Sequence, residues 1–542
     1  MKKSAKIALW VVGVFIALVI GVFLSADIVA SRFVQKKVQE AFAKIPGADA
    51  TVGGIYLNLL SGSAIVRDIT FCTNSLTLED STTNERAPGL ALHVPTLTVM
   101  NIQLPALWRA HAVNIRRIKI DDPQLVVYLD EKDPKAMLPF LPEDFTLEQA
   151  GNWLTMVGVH HAELNGLRVN LHSIRTPLSV SLHDLSTEWH DIQYNFSDSL
   201  FSFNDSVYTL TLDSCCVQLP DGEFELETHD LATSDQGPLQ LGYTRLRHII
   251  TPQQLADKHK EPTTWIDMEL NELSTSALNP LRKVLAEDYT LESIQTDVRR
   301  LHVYRDARHE PKEPFGTPQD FLKALPVRFM VKQVSAVAHK VDVYFSSTKV
   351  NCGELHVKNV RTQLSNVTNR PGAVWYSVAK APFGEKGQVE ARYNMHMDKA
   401  SSFEVQINGS NIETHDINSF LRPLVGMTCD CHIDQLDTHY EGDRSKASGV
   451  FCMQYHGMNV QVHKEDDIPY KIVTKHAGTI TQLANTLIPK SNPTSVDPAP
   501  RKYNVEWKRD EWKPYPLYLF GPCIDGVVKT MLPGLYVHKQ AK

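Results

Sequence analysis

Residues 403–407 read FEVQI, and residues 341–345 read VDVYF. Both stretches place apolar side chains at every second position, which is the period of a β-strand whose successive side chains point to opposite faces. Similar short runs recur from residue 55 onward, and turn-forming residues separate them. The repeated pattern predicts a mainly β protein in which many short strands form a long antiparallel sheet, a sandwich or a barrel, with short helices interspersed.

The alternation leaves open what covers the apolar face of these strands. In a sandwich a second sheet buries that face, and its side chains are core. In an open half-tube the same side chains line a groove, where acyl chains would remove them from water. Because large exposed apolar patches are uncommon, the pattern alone favours a packed core.

The first strand pair is predicted as a β-hairpin. Apolar residues alternate over residues 55–59 and return over residues 65–71, and the turn at residues 60–63 contains Ser and Gly. Near the other end of the chain a helix is predicted over Gly478 to Ile488, and it ends at Pro489. An open sheet edge invites aggregation, so a covering element is expected, but the pattern does not specify which segment provides it.

An aromatic cluster lies close to the C-terminus and is interleaved with lysine and arginine residues. It consists of Trp507, Trp512, Tyr515 and Tyr518. Packing of a terminal structural element is the favoured explanation. Contact with a membrane interface, where amphipathic rings and basic residues are common, is the alternative.

The N-terminal region carries a long uncharged segment, Ile7 to Leu24, after three lysines within the first six residues. As a helix it would span roughly 27 Å at about 1.5 Å per residue, close to the thickness of a bilayer core. We predict a single-pass transmembrane anchor over residues 1–25, with a cytoplasmic N-terminus and the bulk of the chain on the far side. A cleaved signal peptide is the alternative, but the run is long and no small-x-small cleavage site follows it.

The rest of the chain divides by pattern into five regions. The amphipathic segment after the anchor keeps apolar residues on one helical stripe and stops at Pro46 and Gly47. The predicted regions are an amphipathic helix over residues 26–46, an N-terminal β region over residues 47–140, a middle β region over residues 141–400, a C-terminal core over residues 401–470 and a C-terminal cap or extension over residues 471–542.

Composition excludes several classes of protein. The hydrophobic fraction of 43% and the charged fraction of 22% are those of a folded protein. A formal net charge of −7 over 542 residues offers no global attraction for nucleic acid. Eight cysteines are too few for a disulfide scaffold in a chain of this length, so mostly buried thiols are expected. One optional bridge is left open, for which Cys429 and Cys431 are a possible but geometrically awkward pair.

Motifs for chemistry are absent from the sequence. It contains no GxxxxGK[ST] loop, no GxSxG elbow and no HExxH helix, so no enzyme activity and no cofactor are predicted. The best metal candidates are the pair His160 and His161 and the run from Cys429 through Cys431 to His432. The second lacks the further ligand pair that a zinc site needs, so no metal site is predicted.

Two parts of the sequence resemble the AsmA-like family. Residues 403–464 contain a strand, a short helix of the form Asp-Ile-Asn-x-Phe-Leu-Arg-Pro-Leu, a strand pair and an Ala-Ser-Gly-x-x-x-x-x-Tyr run that enters a last strand. The N-terminal anchor, the hairpin sequence SGSAIVRDITF at residues 61–71 and NIRRIKIDDPQLVVYLD at residues 114–130 resemble the opening of the same family. The middle of the chain shows the strand pattern alone, and residues 505–534 resemble the family more loosely.

The resemblance implies a fold and a function. AsmA-like proteins are held in the inner membrane of Gram-negative bacteria by one N-terminal helix. Their periplasmic part is a long twisted antiparallel sheet curled into an open groove with an apolar interior, and the family is associated with outer-membrane lipid homeostasis and phospholipid passage. On this basis we predict an inner-membrane-anchored periplasmic protein that binds or conducts phospholipid, with a further protein partner in the periplasm or outer membrane. The alternative is a membrane-anchored envelope assembly factor with a filled β core that acts through protein contacts.

The predicted groove lining is formed by alternating apolar residues of the strands named above. Its members are Val341, Val343, Phe345, Val389, Tyr393, Phe403, Val405, Ile407, Phe451, Met453 and Tyr455.

Overall fold

The structure of the chain is a computed structural model. It describes residues 35–36, 38–40, 48–58, 61–73, 87–103, 111–133, 155–195, 200–277, 289–325, 327–347, 350–419, 422, 427–463 and 477–531. The predicted anchor, Ile7 to Leu24, lies outside these residues. Within them, no helix has the length and apolar character needed to cross a membrane.

The described chain is mainly β, with few and short helices, and it divides into two compact units at Thr244 and Arg245. This division falls inside the predicted middle region. The strands of the first unit are β1 (Ala48–Asn58), β2 (Ser63–Thr73), β3 (Gly89–Ile102), β4 (Ala112–Asp121), β5 (Gln124–Leu129), β6 (Met156–Ser173), β7 (Ser179–Asn195), β8 (Leu200–Gln218), β9 (Phe224–Ser234) and β10 (Pro238–Leu241).

The strands of the second unit continue the numbering. They are β11 (Thr244–His248), β12 (Thr263–Ala277), β13 (Tyr289–Ala307), β14 (Phe329–Ser347), β15 (Val350–Thr368), β16 (Val374–Phe383), β17 (Gly387–His396), β18 (Phe403–Glu413), β19 (Met427–Gly442), β20 (Lys446–Val462), β21 (Ser491–Asn492) and β22 (Lys502–Lys508). Its helices are α1 (Pro252–His259), α2 (Pro318–Ala324), α3 (Ala477–Leu487) and α4 (Tyr515–Met531).

In the first unit, the predicted hairpin is confirmed as β1 paired with β2, with Asn58 opposite Ser63 at the turn. The hairpin and its neighbours β3, β4 and β6 bury one aliphatic core, to which Val38 of the helical residues 38–40 also belongs. The same helical segment covers backbone carbonyls of β1, because the Gln39 side chain donates a hydrogen bond to the carbonyl of Val52 at 3.2 Å. Such a cover protects an edge strand from pairing with other chains.

The sheet is mixed, not purely antiparallel as the sequence pattern predicted. Strands β4 and β5 both run parallel to β6, and β13 runs parallel to β14, whereas the other described pairs in each unit are antiparallel. Parallel neighbours need a crossover connection. Between Ala307 and Phe329 that crossover contains α2. Strand periodicity carries no information about such a connection, so the pattern could not reveal it.

Along β14 the apolar residues change from one face of the sheet to the other. Val334, Ala336 and Ala338 alternate on one face, whereas Val341, Val343 and Phe345 alternate on the opposite face. At the same level of the neighbouring strand β15, Asn359 adopts a left-handed backbone with φ of 52°, which asparagine tolerates better than most residues. The change of face determines which half of β14 contributes to the apolar surface described next.

Candidate functional site

The central strands of the second unit carry two rows of aliphatic side chains on one face. Register places Met268, Leu301, Val341 and Val357 opposite one another across β12 to β15, and residues in direct register share a face of the sheet. The second row comprises Ile266, Val303, Val343 and Leu355. We call these eight residues the central face. Across four strands spaced about 4.8 Å apart, it is roughly 14 Å wide between backbones.

The central face is only half-buried. None of its eight residues belongs to a buried hydrophobic cluster formed by the described part of the chain. On one side the rows end at Arg305 of β13, whose guanidinium carbon lies 5.3 Å from the centre of the Phe315 ring. An aliphatic surface in this state gains free energy when an apolar ligand covers it.

A polar cleft adjoins the central face on its other side. On β14, Val337 and His339 precede Val341 at alternate positions and therefore lie on the same face. Val337 and Arg361 line both of two surface clefts, of about 350 Å³ and about 920 Å³, which extend over strands β12 to β19. Charged residues also lie in this region, and His339 contacts Asp297 at 2.9 Å. One continuous face of the sheet therefore has an aliphatic half and a charged half.

The reverse face of the same strands is polar and aromatic. Ring centroids of Trp265, His302, Tyr344 and His356 follow one another at 5.1, 4.8 and 5.8 Å. Beside them lies Asp267, which is 4% exposed. The sheet is thus amphipathic at this level, and the eight aliphatic residues mark one particular face.

Asp267 is held in its charged form by arginine residues. Burial raises the pKa of its carboxyl, but the two hydrogen bonds from Arg245, each 2.9 Å long, and the nearby charge of Arg300 outweigh burial, so the pKa lies below its ordinary value. These ion pairs between Asp267 and the two arginines stabilise the polar face of β12 and β13.

A comparable row of half-buried apolar residues occurs in the first unit. Register across β6 to β9 places Leu171, Val180, Val217 and Leu226 opposite one another. None of these four residues was predicted as a site residue, and neither was any central-face residue outside β14.

The predicted lining residues divide into three groups in the structure. Val341 and Val343 belong to the central face, and Phe345 adjoins it opposite Arg305. Val389 and Tyr393 of β17 are half-buried against the C-terminal core. Burial and the neighbouring Tyr515 raise the pKa of the Tyr393 hydroxyl well above its ordinary value.

The remaining six predicted residues are buried in the C-terminal core. Phe403, Val405, Ile407, Phe451, Met453 and Tyr455 are between 1% and 9% exposed. Helix α4 covers part of this core, since the Phe403 ring lies 5.7 Å from that of Tyr518 and the Tyr440 hydroxyl donates a hydrogen bond to the carbonyl of Leu519 at 2.7 Å. The Tyr455 hydroxyl bonds the carbonyl of Pro489, just after α3. These side chains are core residues beneath a helix and do not face an open groove.

Helix α4 was not predicted, although the sequence carries a signal for it. Buried positions of α4 include Tyr515, Tyr518, Pro522, Gly526 and Thr530, which recur every three or four residues. Gly and Pro within this stripe obscure the helical pattern. The favoured explanation of the aromatic cluster, packing of a terminal element, is confirmed for Tyr515 and Tyr518.

The predicted helix near residue 478 is also confirmed, as α3, and its Asn485 side chain bonds both backbone groups of Val460 on β20. Trp512 from the aromatic cluster is 54% exposed.

The described cysteines carry free thiols, of which Cys431 and Cys452 are buried.

The sequence-based metal candidates are separated by strand geometry. His160 pairs with Asp191 and His161 pairs with Glu163, so the two rings have different partners. The His432 ring donates a hydrogen bond from Nδ1 to the Glu413 carboxylate at 2.7 Å. As the neighbour of Cys431 on a strand, His432 points to the opposite face.

Comparison with known proteins adds no assignment. A scan against models of known protein families finds none that matches the chain, and a search of characterised protein sequences finds no match either.

Proposed function

We propose that this protein binds phospholipid, with acyl chains on the central face. The observation that supports this proposal is that two sets of alternating apolar residues differ in how deeply they are buried. Alternating apolar residues of β18 and β20 are buried by the chain's own helix, whereas the eight central-face residues are half-buried and belong to no buried cluster of the described residues. Each methylene that leaves water contributes about 0.8 kcal/mol, so a few contacts with an acyl chain give substantial affinity.

The charged half of the same face suits the lipid head group. Arg361 is exposed and lines both clefts beside the aliphatic rows. A guanidinium donates hydrogen bonds to phosphate oxygens in a planar, two-pronged arrangement. An amphiphile placed with its chains on the central face and its phosphate near Arg361 would match both chemistries at once.

The cellular part of the proposal rests on the resemblance to the AsmA-like family. Under it, Ile7 to Leu24 anchors the chain in the bacterial inner membrane, the bulk of the protein is periplasmic, and bound phospholipid passes along an open, curled β-groove. No covalent chemistry is required, so the proposal is for a non-enzymatic lipid-handling protein. Movement along a uniform apolar wall needs little net free energy, and a gradient or a partner would set its direction.

A second candidate function is that of a membrane-anchored assembly factor acting through protein contacts. One observation favours it: the outer side of α4 exposes Leu517, Phe520, Ile524 and Val528 at helical spacing. Such a stripe is typical of a helix that packs against another surface. This candidate predicts protein capture at α4 and no lipid at the central face.

Site-specific photo-crosslinking in cells tests the proposal. A benzophenone amino acid replaces Val343 on the central face and, as a matched control, Val450, a 38% exposed valine outside it. We expect phospholipid adducts, detected by mass spectrometry, from position 343 and not from position 450. Protein adducts without lipid from position 343 would favour the assembly-factor function, and the absence of lipid adducts there would contradict the proposal.

A pair of charge-removing variants tests whether Arg361 binds the lipid head group. Arg361→Gln should lower the amount of phospholipid that co-purifies with the protein. Lys358→Gln removes an exposed cation three residues away on β15 that points to the reverse face, and it should leave the lipid unchanged. Equal loss in both variants would indicate a general effect of charge and would contradict a phosphate site at Arg361.

A further inference from the structure

Three sulfur atoms meet in the C-terminal core of the second unit. Cys429 and Cys431 are two residues apart on β19, so both side chains point to one face. The Cys429 Sγ lies 3.9 Å from the Cys431 Sγ and 3.2 Å from the Sδ of Met458 on β20. We call these three side chains the sulfur cluster. Met458 follows Gly457, whose φ of 73° lets the β20 backbone bulge at this point.

The sulfur cluster is enclosed by apolar neighbours. Cys431 is 8% exposed and Met458 is 4% exposed, whereas Cys429 is half-buried. All three side chains contribute to the hydrophobic cluster that also contains Ile433 and Val460. The site therefore has a dry interior and one more accessible sulfur, that of Cys429.

Hydrogen bonds fix the backbone that carries the two cysteines. The Thr414 hydroxyl donates to the carbonyl of Cys429 at 2.6 Å and accepts from the amide of Cys431 at 2.8 Å. The Asn418 side chain donates to the carbonyl of Cys429 at 3.1 Å and accepts from its amide at 3.0 Å. Supporting bonds of this kind orient metal ligands before the metal binds.

The donor atoms select among metals. Two thiols and a thioether are soft ligands, which favour Cu(I) over the harder divalent cations. Zinc in structural sites takes four ligands, and the adjacent His432 points away from the cluster toward Glu413. If metal–thiolate bonds measure about 2.3 Å, three ligands in a plane place their sulfur atoms about 4 Å apart, close to the observed cysteine separation.

The two cysteine thiols also contact each other directly. The Cys429 thiol donates a weak hydrogen bond to the Cys431 sulfur at 3.9 Å. A thiol gives up its proton when its sulfur binds a metal, so binding of one ion here would release up to two protons to solvent.

We propose that Cys429, Cys431 and Met458 form a binding site for one Cu(I) ion. The ion would be three-coordinate, bound by two thiolates and one thioether, with no change in its oxidation state. This site lies in the core beneath the C-terminal helices and is independent of lipid binding at the central face.

Anaerobic titration of the reduced full-length protein tests the site. Cu(I) is supplied as its complex with bicinchoninate, and its transfer to the protein is followed by loss of the chelator's colour. We expect one equivalent to transfer to the wild type. Cys429→Ser should abolish this transfer, whereas Cys452→Ser, which removes a buried thiol of β20 outside the cluster, should retain it. Equal transfer to wild type and Cys429→Ser would overturn the proposal.

Met458→Leu tests the thioether without removing volume, a change that protein cores tolerate. We expect a loss of Cu(I) affinity of about tenfold or more, because removal of a direct ligand should cost at least as much as removal of a group that only supports a ligand. X-ray absorption of the Cu(I)-loaded wild type should show three sulfur neighbours, and the variant should show two. Three sulfur neighbours in the variant would overturn the assignment of Met458 as a ligand.

Discussion

Strands β12 to β15 and strands β17 to β20 follow the same alternating pattern, yet their apolar faces have different environments. Val343 on the central face is half-buried, whereas Phe451 in the C-terminal core is 1% exposed. The strands themselves do not cause this difference. It arises because α4, a segment distant in sequence from β12 to β15, covers the C-terminal core. Periodicity tells which side chains share a face, and a separate element decides whether that face is core or surface.

Close approach of α4 depends on its small residues. A Cβ added at Gly526 would overlap the Phe451 ring, and one added at Gly521 would overlap the Trp507 ring. The helix can therefore lie directly on the aromatic residues of the sheet only because these positions lack side chains. Among the described helices α1 contacts β13, yet the central-face residues remain half-buried.

The largest effect is expected from truncation in the C-terminal core. Phe451→Ala should lower the free energy of unfolding by about 3 to 5 kcal/mol, because it removes a buried ring and leaves a cavity. Val343→Ala should cost about 1 kcal/mol or less, since its side chain is already partly in water. Urea unfolding monitored by circular dichroism measures both. Equal losses would show that the central face is packed as tightly as the core.

A smaller loss of stability is expected when a side chain is added where α4 touches the sheet. Gly526→Ala forces α4 away from Phe451 and should destabilise the protein by about 1 to 3 kcal/mol, as overpacking does. Gly478→Ala in α3 is the matched control, because nothing lies within 4 Å of its added Cβ, and alanine favours a helix by up to about 1 kcal/mol. If Gly526→Ala were as stable as the wild type, α4 would not be in direct contact with the sheet.

Local features of the fold could be predicted from the sequence. The hairpin turn between Asn58 and Ser63 and the helix ending near Pro489 each depend on neighbouring residues, and both are confirmed. The parallel pair β13 and β14 depends on the path of a crossover. The helical stripe of α4 was obscured by Pro522 and Gly526, since both residues are poor helix formers.

The candidate site was only partly predicted, because local alternation can be read from the sequence and long-range strand pairing cannot. Val341 and Val343 were identified from alternation, but their partners Leu301 and Leu355 join them only through the register of three strands. Register depends on pairings between residues distant in sequence, which a single sequence does not encode locally. The burial of Phe403 could not be predicted either, because the side chain that covers it, Tyr518, lies more than a hundred residues later in the sequence.

A charge on the central face should affect lipid more than folding. Val343→Asp is expected to lower co-purified phospholipid about tenfold, since a loss of about 1.4 kcal/mol in binding corresponds to that factor and a buried carboxylate costs at least as much. Val450→Asp is the control at an exposed valine and should retain the lipid. The same charge at Val405, which is 5% exposed, should instead unfold the C-terminal core. Retained lipid in Val343→Asp would contradict binding at this face.

The smallest expected effect is a pH dependence of stability that arises from Asp267 on the reverse, polar face of the central strands. The folded-state pKa of Asp267 is lowered by Arg245 and Arg300, so its contribution to stability is complete above the ordinary carboxyl pKa of about 3.9 and is lost as pH falls through the lowered value. We expect the urea midpoint of the wild type to fall over this acidic range. Asp267→Asn, which cannot titrate, should show a shallower fall in the same buffers. Identical pH profiles would mean that the arginines do not stabilise the charged carboxylate, and the polar face of β12 and β13 would then depend on its aromatic contacts instead.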